Sequence, residues 1–469
     1  MALSSYAPRL RTALVLCGAG TAGAYHAGVL RALDEAGVKV DVVAGHGAGV
    51  IGALGGAVDS GGSLWSTSSP WAQPRLQLAY RFRPALRVIA VGLLASLALL
   101  LSPLLVLAVA TVVYGLGTLA SLIQLPDLAA RLVTTYTQIV GYLFDPPILP
   151  TIVPRLVLLG LLLCASVLVV AAWRARRDSR SRRRVRGGVL WQILGYPLDP
   201  QEPERLIVDA FWGLTRGASE APQPTAAEMG RQYVDLVMDN FGQPGFREVL
   251  VAVHDIDARR DIAVGVVAPS FRQAFAARRV GAGPREAEAL DLSTAAEIDR
   301  PLIVDALVAS LRLPVASRPH DVSFPLAHYW QGETHRWCDR PELVGRLIDE
   351  VARVGAEQVI LVTAAAPPST PHDLRARPGD FRSRMGESLR SVETAAFQDA
   401  WAAAATRFSG VFAIRPTHNP IGPFDNAGVY DEASDRHRPV TELLQQGYDD
   451  AYRQFIEPVV ATGERVAEI

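Results

Sequence analysis

The sequence predicts an α/β fold, built on a mostly parallel sheet with helices on its faces and interrupted by an inserted transmembrane helical hairpin. Three observations lead to this prediction. Short apolar strands alternate with helix-length segments, which is typical of a parallel sheet. Glycine-rich turns follow two successive strands, at Gly18–Gly23 and Gly45–Gly49. A long uncharged apolar run, Val88–Ile123, then breaks the alternation.

The first part of the sheet is predicted from the N-terminal segments. Residues 12–17 (TALVLC) form a short apolar strand, and residues 24–36 have helical periodicity. Residues 39–44 form the next strand, and an apolar helical segment follows the turn at 45–49 (GHGAG). A strand–turn–helix elbow of this kind usually holds one reactive side chain at its centre. The central residue here is Gly47, which has no side chain.

Two apolar segments are predicted to cross a membrane. Val88–Ile123 is 36 residues long without a charge, whereas a bilayer core needs only about 20. Ile148–Trp173 is interrupted only by Arg155. Arginines flank the outer ends of the pair, so both flanks are predicted to lie on the cytoplasmic side and residues 124–147 outside. Pro103 interrupts the first run, which leaves open whether that run kinks, tilts or continues beyond the bilayer.

The alternation of strands and helices resumes after the hairpin. Strands are predicted at 248–254 and 358–364, helices at 303–312, 346–356, 389–407 and 440–460, and loops at 216–226 and 366–381. The predicted organisation is therefore one α/β domain in two parts, 1–75 and 187–469, separated by a transmembrane hairpin at 84–176. We expect a multi-pass protein of the inner membrane with its soluble domain on the cytoplasmic side.

Composition excludes several classes of function. The formal net charge of −1 argues against a general nucleic-acid binder. The three cysteines, Cys17, Cys164 and Cys338, are far apart and have neither a disulfide framework nor zinc-ligand spacing. No other cluster has the spacing of metal ligands, so we expect no metal and no cofactor. The expected partners are membrane lipids, with a protein partner as an alternative.

The two glycine turns allow three interpretations. Gly18-x-Gly20-x-x-Gly23 matches the dinucleotide fingerprint, but the acidic residue this requires, Asp41, lies at the start of its strand rather than at the end. Two successive strand–turn–helix units also place backbone N–H groups and helix N-termini around one anion, such as the oxyanion of acyl transfer. The third interpretation is that the glycines only allow tight packing of helices on strands.

The same residues resemble the patatin-like phospholipase family. Leu16–Leu30 (LCGAGTAGAYHAGVL) is similar to the first block of that family, in which a glycine-rich oxyanion loop precedes a His-x-Gly-Val-Leu helix. Gly45–Gly49 falls where the family has its GxSxG nucleophile elbow, and Trp337–Pro341 where it has Asp-Gly-Gly or Asp-Gly-Ala. Residues 253–256 and 309–314 resemble two further segments. The resemblance covers most of the chain outside the hairpin and implies a patatin-like three-layer fold.

The resemblance also implies which residues form the site. Position 47 corresponds to the nucleophile, and Asp339 corresponds to the aspartate of a Ser–Asp dyad. The oxyanion-binding positions implied by the resemblance are Gly18, Ala19, Gly20 and Ala48.

The chain departs from the family at those positions. Gly47 replaces the nucleophilic serine, Ala22 replaces the arginine of the oxyanion loop, and Ala19 replaces one of its glycines. Arg340 and Pro341 follow the dyad aspartate in place of the small residues. Family chemistry needs an activated hydroxyl that attacks a lipid ester, and position 47 supplies none. Without that hydroxyl, we expect the Asp339 carboxylate to find another partner: Arg340, a backbone N–H of the first loop, or a water.

Other side chains near the turns are weaker candidates. Thr21 has a hydroxyl without an evident base, and His46 is expected to point away from the centre of the elbow. His26 is expected to pack or to hydrogen-bond a loop, Ser310 to cap a turn, and His335 to lie in a loop. The sequence thus favours a catalytically degenerate, lipid- or partner-binding member of the family. The alternatives are a lipid acyl hydrolase using non-standard chemistry around Asp339, and a dinucleotide-binding membrane protein.

Overall fold

A computed structural model of the chain describes residues 6–66, 69–178, 195–217, 219–277, 284–294, 298–369, 379–418, 421–431 and 434–460. The chain divides into two compact units. One comprises Met1–Arg81 and Leu198–Ile469, and the other comprises Phe82–Pro197.

Within the described residues, the first unit is built on a nine-stranded, mostly parallel sheet. Its main path runs in the order β5-β4-β3-β2-β1-β8-β9, and β6 and β7 form an antiparallel extension in which β7 also pairs with β3. The strands are β1 (Thr12–Cys17), β2 (Val42–Gly45), β3 (Glu248–Asp255), β4 (Arg260–Val266), β5 (Ala289–Asp291), β6 (His320–Ser323), β7 (Thr334–Cys338), β8 (Gln358–Thr363) and β9 (Gly410–Ile414). A separate antiparallel pair comprises β10 (Val429–Asp431) and β11 (Arg436–Arg438). The α/β class and the mostly parallel sheet are therefore as predicted.

Helices cover the sheet. They are α1 (Ala22–Glu35), α2 (Gly49–Gly56), α6 (Gln201–Arg216), α7 (Ala226–Asp239), α8 (Pro269–Ala276), α9 (Leu302–Ser310), α10 (Leu343–Arg353), α11 (Phe381–Ala405) and α12 (Thr441–Ala451), which continues as a π-helical segment, Tyr452–Val460. Alternate residues of β1 face different helices. Ala13 and Val15 belong to a core with Leu347 of α10 and Phe397 of α11, while Leu16 meets the first turn of α2.

The described residues of the second unit form three helices: α3 (Pro84–Leu122), α4 (Pro126–Leu143) and α5 (Leu149–Asp178). Two segments are long and apolar enough to cross a bilayer, Pro84–Leu122 and Leu149–Ala171. Only 6% and 17% of their most apolar windows are buried, so both helices expose most of their apolar surface. Helix α4 was not predicted, because its polar residues break up the apolar signal of the connection.

Several predicted boundaries shift. Helix α11 begins at Phe381, inside the segment predicted as a loop; residues 370–378 of that segment lie outside the described residues. His335, predicted in a loop, lies in strand β7. The pairing of β7 with β3, at Cys338 with His254, extends the sheet and brings Asp339 to its edge. Strands β4, β5, β6, β7, β9, β10 and β11 are additional to those predicted.

Candidate functional site

The two glycine turns meet at one edge of the sheet. Strands β1 and β2 are parallel neighbours, with Leu16 in register with Gly45, so the turns that follow them lie side by side. The N–H of Ala48 donates to the carbonyl oxygen of Gly18 over 2.7 Å. Two positions from the expected oxyanion-binding set are therefore hydrogen-bonded to each other.

Gly47 lies at the centre of the second turn with φ at +58°, in the left-handed region where glycine has no steric penalty. A Cβ atom at this position would lie 2.5 Å from the carbonyl oxygen of Gly18 and 2.8 Å from Oδ2 of Asp339. Real Cβ atoms do not approach backbone atoms this closely, so the turn is built around a glycine. The Asp339 carboxylate nevertheless faces the space where a side chain on residue 47 would begin.

Asp339 follows strand β7 and is buried, with 1% of its surface exposed. Its backbone N–H donates to the carbonyl oxygen of Arg312 over 2.9 Å. Its side chain pairs with His46, whose Nδ1 lies 3.0 Å from Oδ1. His46 is not among the three partners of Asp339 that the sequence led us to expect. One of those three, Arg340, instead donates from its guanidinium to Oδ2 of Asp261 over 2.7 Å.

His46 is the neighbour of Gly47 that sequence analysis expected to point away. It is buried, and Nε2 has no hydrogen-bond partner among the residues that the structure describes. Burial alone lowers the pKa of an imidazole, but the Asp339 carboxylate raises the pKa of His46 to about 10. The ring therefore carries a proton at neutral pH and acts as a buried cation. A buried carboxylate without a hydroxyl partner needs such a cation, which explains why the ring turns inwards.

Glu393 of α11 is a site residue that sequence analysis missed. Its Oε1 accepts the backbone N–H of Ala19 over 2.9 Å, which is one of the expected oxyanion donors. Burial, and then the nearby Asp339 carboxylate, raise the pKa of Glu393 to about 7. A signal for it did exist, because Glu393 falls on the same helical stripe as the buried Phe397 and Ala400.

The first glycine turn is covered by the segment 421–424. The N–H of Thr21 donates to the carbonyl oxygen of Pro423 over 3.2 Å, and the Thr21 hydroxyl donates to that of Gly422 over 2.9 Å. A Cβ atom on Gly20 would lie only 1.9 Å from the Pro423 carbonyl oxygen. The hydroxyl of Thr21 is thus committed to a structural contact.

Two further candidates have structural roles. His26 is fully buried, and its Nε2 lies 3.0 Å from the carbonyl oxygen of Cys17. Burial lowers the pKa of His26 to about 3, so its ring is neutral. The hydroxyl of Ser310 donates to the carbonyl oxygen of Leu307 over 2.7 Å, as expected of a residue at a helix end.

His335 pairs with Asp255 at 2.6 Å, on the strand pair β3–β7. Asp41, the residue required by the dinucleotide interpretation, accepts the N–H of Thr12 over 2.8 Å. That contact lies at the start of β1, opposite the glycine turns, so Asp41 does not reach a ligand held by them. Among the described residues, no group of three His, Cys, Asp or Glu side chains is placed to hold a metal ion.

Comparison with known proteins does not show a family for this chain. No protein-family model matches the sequence, and no curated protein matches it either. Among solved structures, the chain is similar to VipD from Legionella pneumophila, with 13% sequence identity, a TM-score of 0.33, and coverage of 96% of this chain and 67% of VipD. A likeness at this level supports no inference about activity or ligand.

Proposed function

We propose that the chain is a degenerate patatin-like protein, anchored in the inner membrane by its apolar helices, which binds membrane lipids or a protein partner instead of hydrolysing esters. The observation that carries this proposal is the turn at Gly47. It has the backbone of an elbow, it faces a buried aspartate, and it lacks both a nucleophile and the room for one.

Two further features support loss of catalysis. The N–H groups of Ala19 and Ala48 are occupied by Glu393 and by the Gly18 carbonyl, so neither is free to stabilise an oxyanion in this arrangement. His46 is already protonated at neutral pH because of its raised pKa, so it cannot accept a proton as a general base.

The alternative is a hydrolase in which Asp339 activates a water. The burial of Asp339 and its pairing with His46 argue against it, because a water would have to displace the histidine from the carboxylate.

A fluorophosphonate probe tests the loss of the nucleophile directly. We expect no labelling of the purified full chain, with an active serine hydrolase as the positive control. We also expect no labelling of Gly47→Ser, because the new side chain would meet the Gly18 carbonyl and the oxyanion donors would remain occupied. Labelling of the unmodified chain would contradict the proposal, and labelling of Gly47→Ser alone would show that the rest of the site is intact.

A further inference from the structure

Helix α3 is about twice as long as a bilayer is thick. Its 39 residues, Pro84–Leu122, extend about 58 Å, whereas the hydrocarbon core measures about 30 Å. The uncharged run Val88–Ile123 alone extends about 54 Å. To fit within the core as one straight helix, this run would have to tilt by more than about 50°, and transmembrane helices tilt by about 0–40°. One straight crossing therefore does not accommodate α3.

The first half of α3 pairs with α5. A Cβ atom on Gly92 would lie 2.7 Å from Sγ of Cys164, and one on Gly160 would lie 2.7 Å from Oγ of Ser96. Small residues allow this close approach, as in other membrane helix pairs. The first half of α3 and helix α5 are antiparallel, and each is long enough to cross the bilayer once.

The second half of α3 pairs with α4 instead. The hydroxyl of Tyr136 donates to the carbonyl oxygen of Val106 over 2.6 Å, and its ring packs edge-on against Tyr114 at 6.1 Å. A Cβ atom on Gly117 would lie 3.3 Å from a methyl group of Val133. We call residues 104–143 the distal hairpin. It begins just after Pro103, which lies inside α3 and is the residue type that most often kinks a helix.

The two helices of the distal hairpin have different surfaces. The second half of α3 is apolar on all sides, with Leu107 65% and Val112 61% exposed on opposite faces, as in helices surrounded by hydrocarbon. Helix α4 is amphipathic. Its exposed apolar residues are Leu128, Leu132, Ile139 and Tyr142, and its polar stripe comprises Asp127, Arg131, Thr134 and Gln138.

We propose that the distal hairpin bends at Pro103 and lies in the bilayer leaflet opposite the arginine-rich flanks, with membrane lipid covering its apolar surface. The second half of α3 lies among the acyl chains, and the polar stripe of α4 faces the headgroups, as in other interfacial amphipathic helices. This inference rests on the membrane anchoring proposed above and specifies which surface meets lipid. It accounts for an uncharged run that is far longer than one crossing needs.

Fluorescence quenching in vesicles tests this placement. Single cysteines are introduced into the full chain by Leu97→Cys, Val112→Cys, Leu132→Cys and Thr134→Cys, labelled with NBD and reconstituted in phosphatidylcholine–phosphatidylglycerol vesicles. The three native cysteines are buried, so the unmodified chain gives the labelling background. Leu132 and Thr134 are a matched pair on one helix, and Leu97 reports the crossing itself.

We expect lipid-borne doxyl groups to quench positions 112 and 132 and iodide not to quench them, while iodide quenches position 134. Iodide quenching at 112 would overturn the proposal in favour of a hairpin that projects into water. Protection of 112 from both quenchers, with disulfide-linked dimers on oxidation, would overturn it in favour of a second copy of the chain. Failure of doxyl lipids to quench position 97 would instead contradict the membrane anchor, so the two failures are distinguishable.

Discussion

Replacing His46 by leucine is expected to destabilise the protein strongly, because it leaves the Asp339 carboxylate buried without a cation. Both side chains are 1% exposed, so water screens their interaction little. Removing one partner of a buried pair costs about 3–5 kcal/mol. The rise in the pKa of His46 from 6.5 to about 10 corresponds to about 5 kcal/mol by linkage, which is the same range.

The pH dependence follows from the sign of that shift. Because the pKa of His46 is higher in the folded state, its contribution is fully present below about pH 6.5, declines as the pH rises, and is lost at about pH 10. The difference in unfolding free energy between the unmodified chain and His46→Leu should therefore shrink from neutral to alkaline pH. His26→Leu is the matched control. It removes a buried but neutral histidine, so its cost should not change over this range.

The assay is denaturant unfolding of the full chain in detergent, followed by tryptophan fluorescence. The double variant His46→Leu/Asp339→Leu should recover most of the loss, since an apolar pair of similar volume replaces a buried ion pair at little or no cost. A loss of less than about 1 kcal/mol in His46→Leu would contradict a buried ion pair between His46 and Asp339. So would a loss in the double variant equal to the sum of the two single losses.

Three further predictions concern the turn, the second carboxyl and the topology. Gly47→Ala should destabilise the protein more than Gly37→Ala does in the same unfolding assay. Both glycines have a positive φ, +58° at Gly47 and +65° at Gly37, but no atom lies within 4 Å of the Cβ position of Gly37. Equal losses would show that the crowding at Gly47 relaxes freely. Glu393→Gln should stabilise the protein at alkaline pH by up to about 3 kcal/mol and have little effect near pH 4.5. The reason is that the folded-state pKa of Glu393, about 7, lies above its ordinary value of 4.5, so ionisation of this buried carboxyl costs stability. Thermal melts at the two pH values would contradict this prediction if the variant were less stable at both. A cysteine at position 134, on the polar stripe of α4, should react with an impermeant thiol reagent from outside intact cells, as the arginine flanks predict, and reaction only after lysis would invert the topology.

The sequence was sufficient to predict the parts of the fold that repeat a local pattern. Strand β1 and the glycine turn after Cys17 are predicted because a short apolar run indicates a buried strand and a glycine cluster indicates a turn. The helix α3 is likewise predicted from its long uncharged apolar run. Helix α4 was missed because Asp127 and Arg131 interrupt its apolar residues.

The site was harder to predict because its partners come from distant segments. The resemblance points to Asp339, but the pairing of Asp339 with His46 depends on strand β7, which local sequence patterns do not predict. Glu393 was missed altogether. Local periodicity places it on the buried stripe of α11, but its contact with Ala19 spans 374 residues, and no motif in that helix indicates this pairing.

A hydrolysis assay is the decisive test of whether this site has lost its chemistry. It measures product release from phospholipid, lysophospholipid and short-chain ester by the purified full chain and by Asp339→Ala. We expect both proteins to release product at the background rate measured without protein, because Gly47 supplies no nucleophile and the oxyanion donors are occupied. Turnover by the unmodified chain that disappears in Asp339→Ala would contradict the loss of catalysis and establish an active hydrolase.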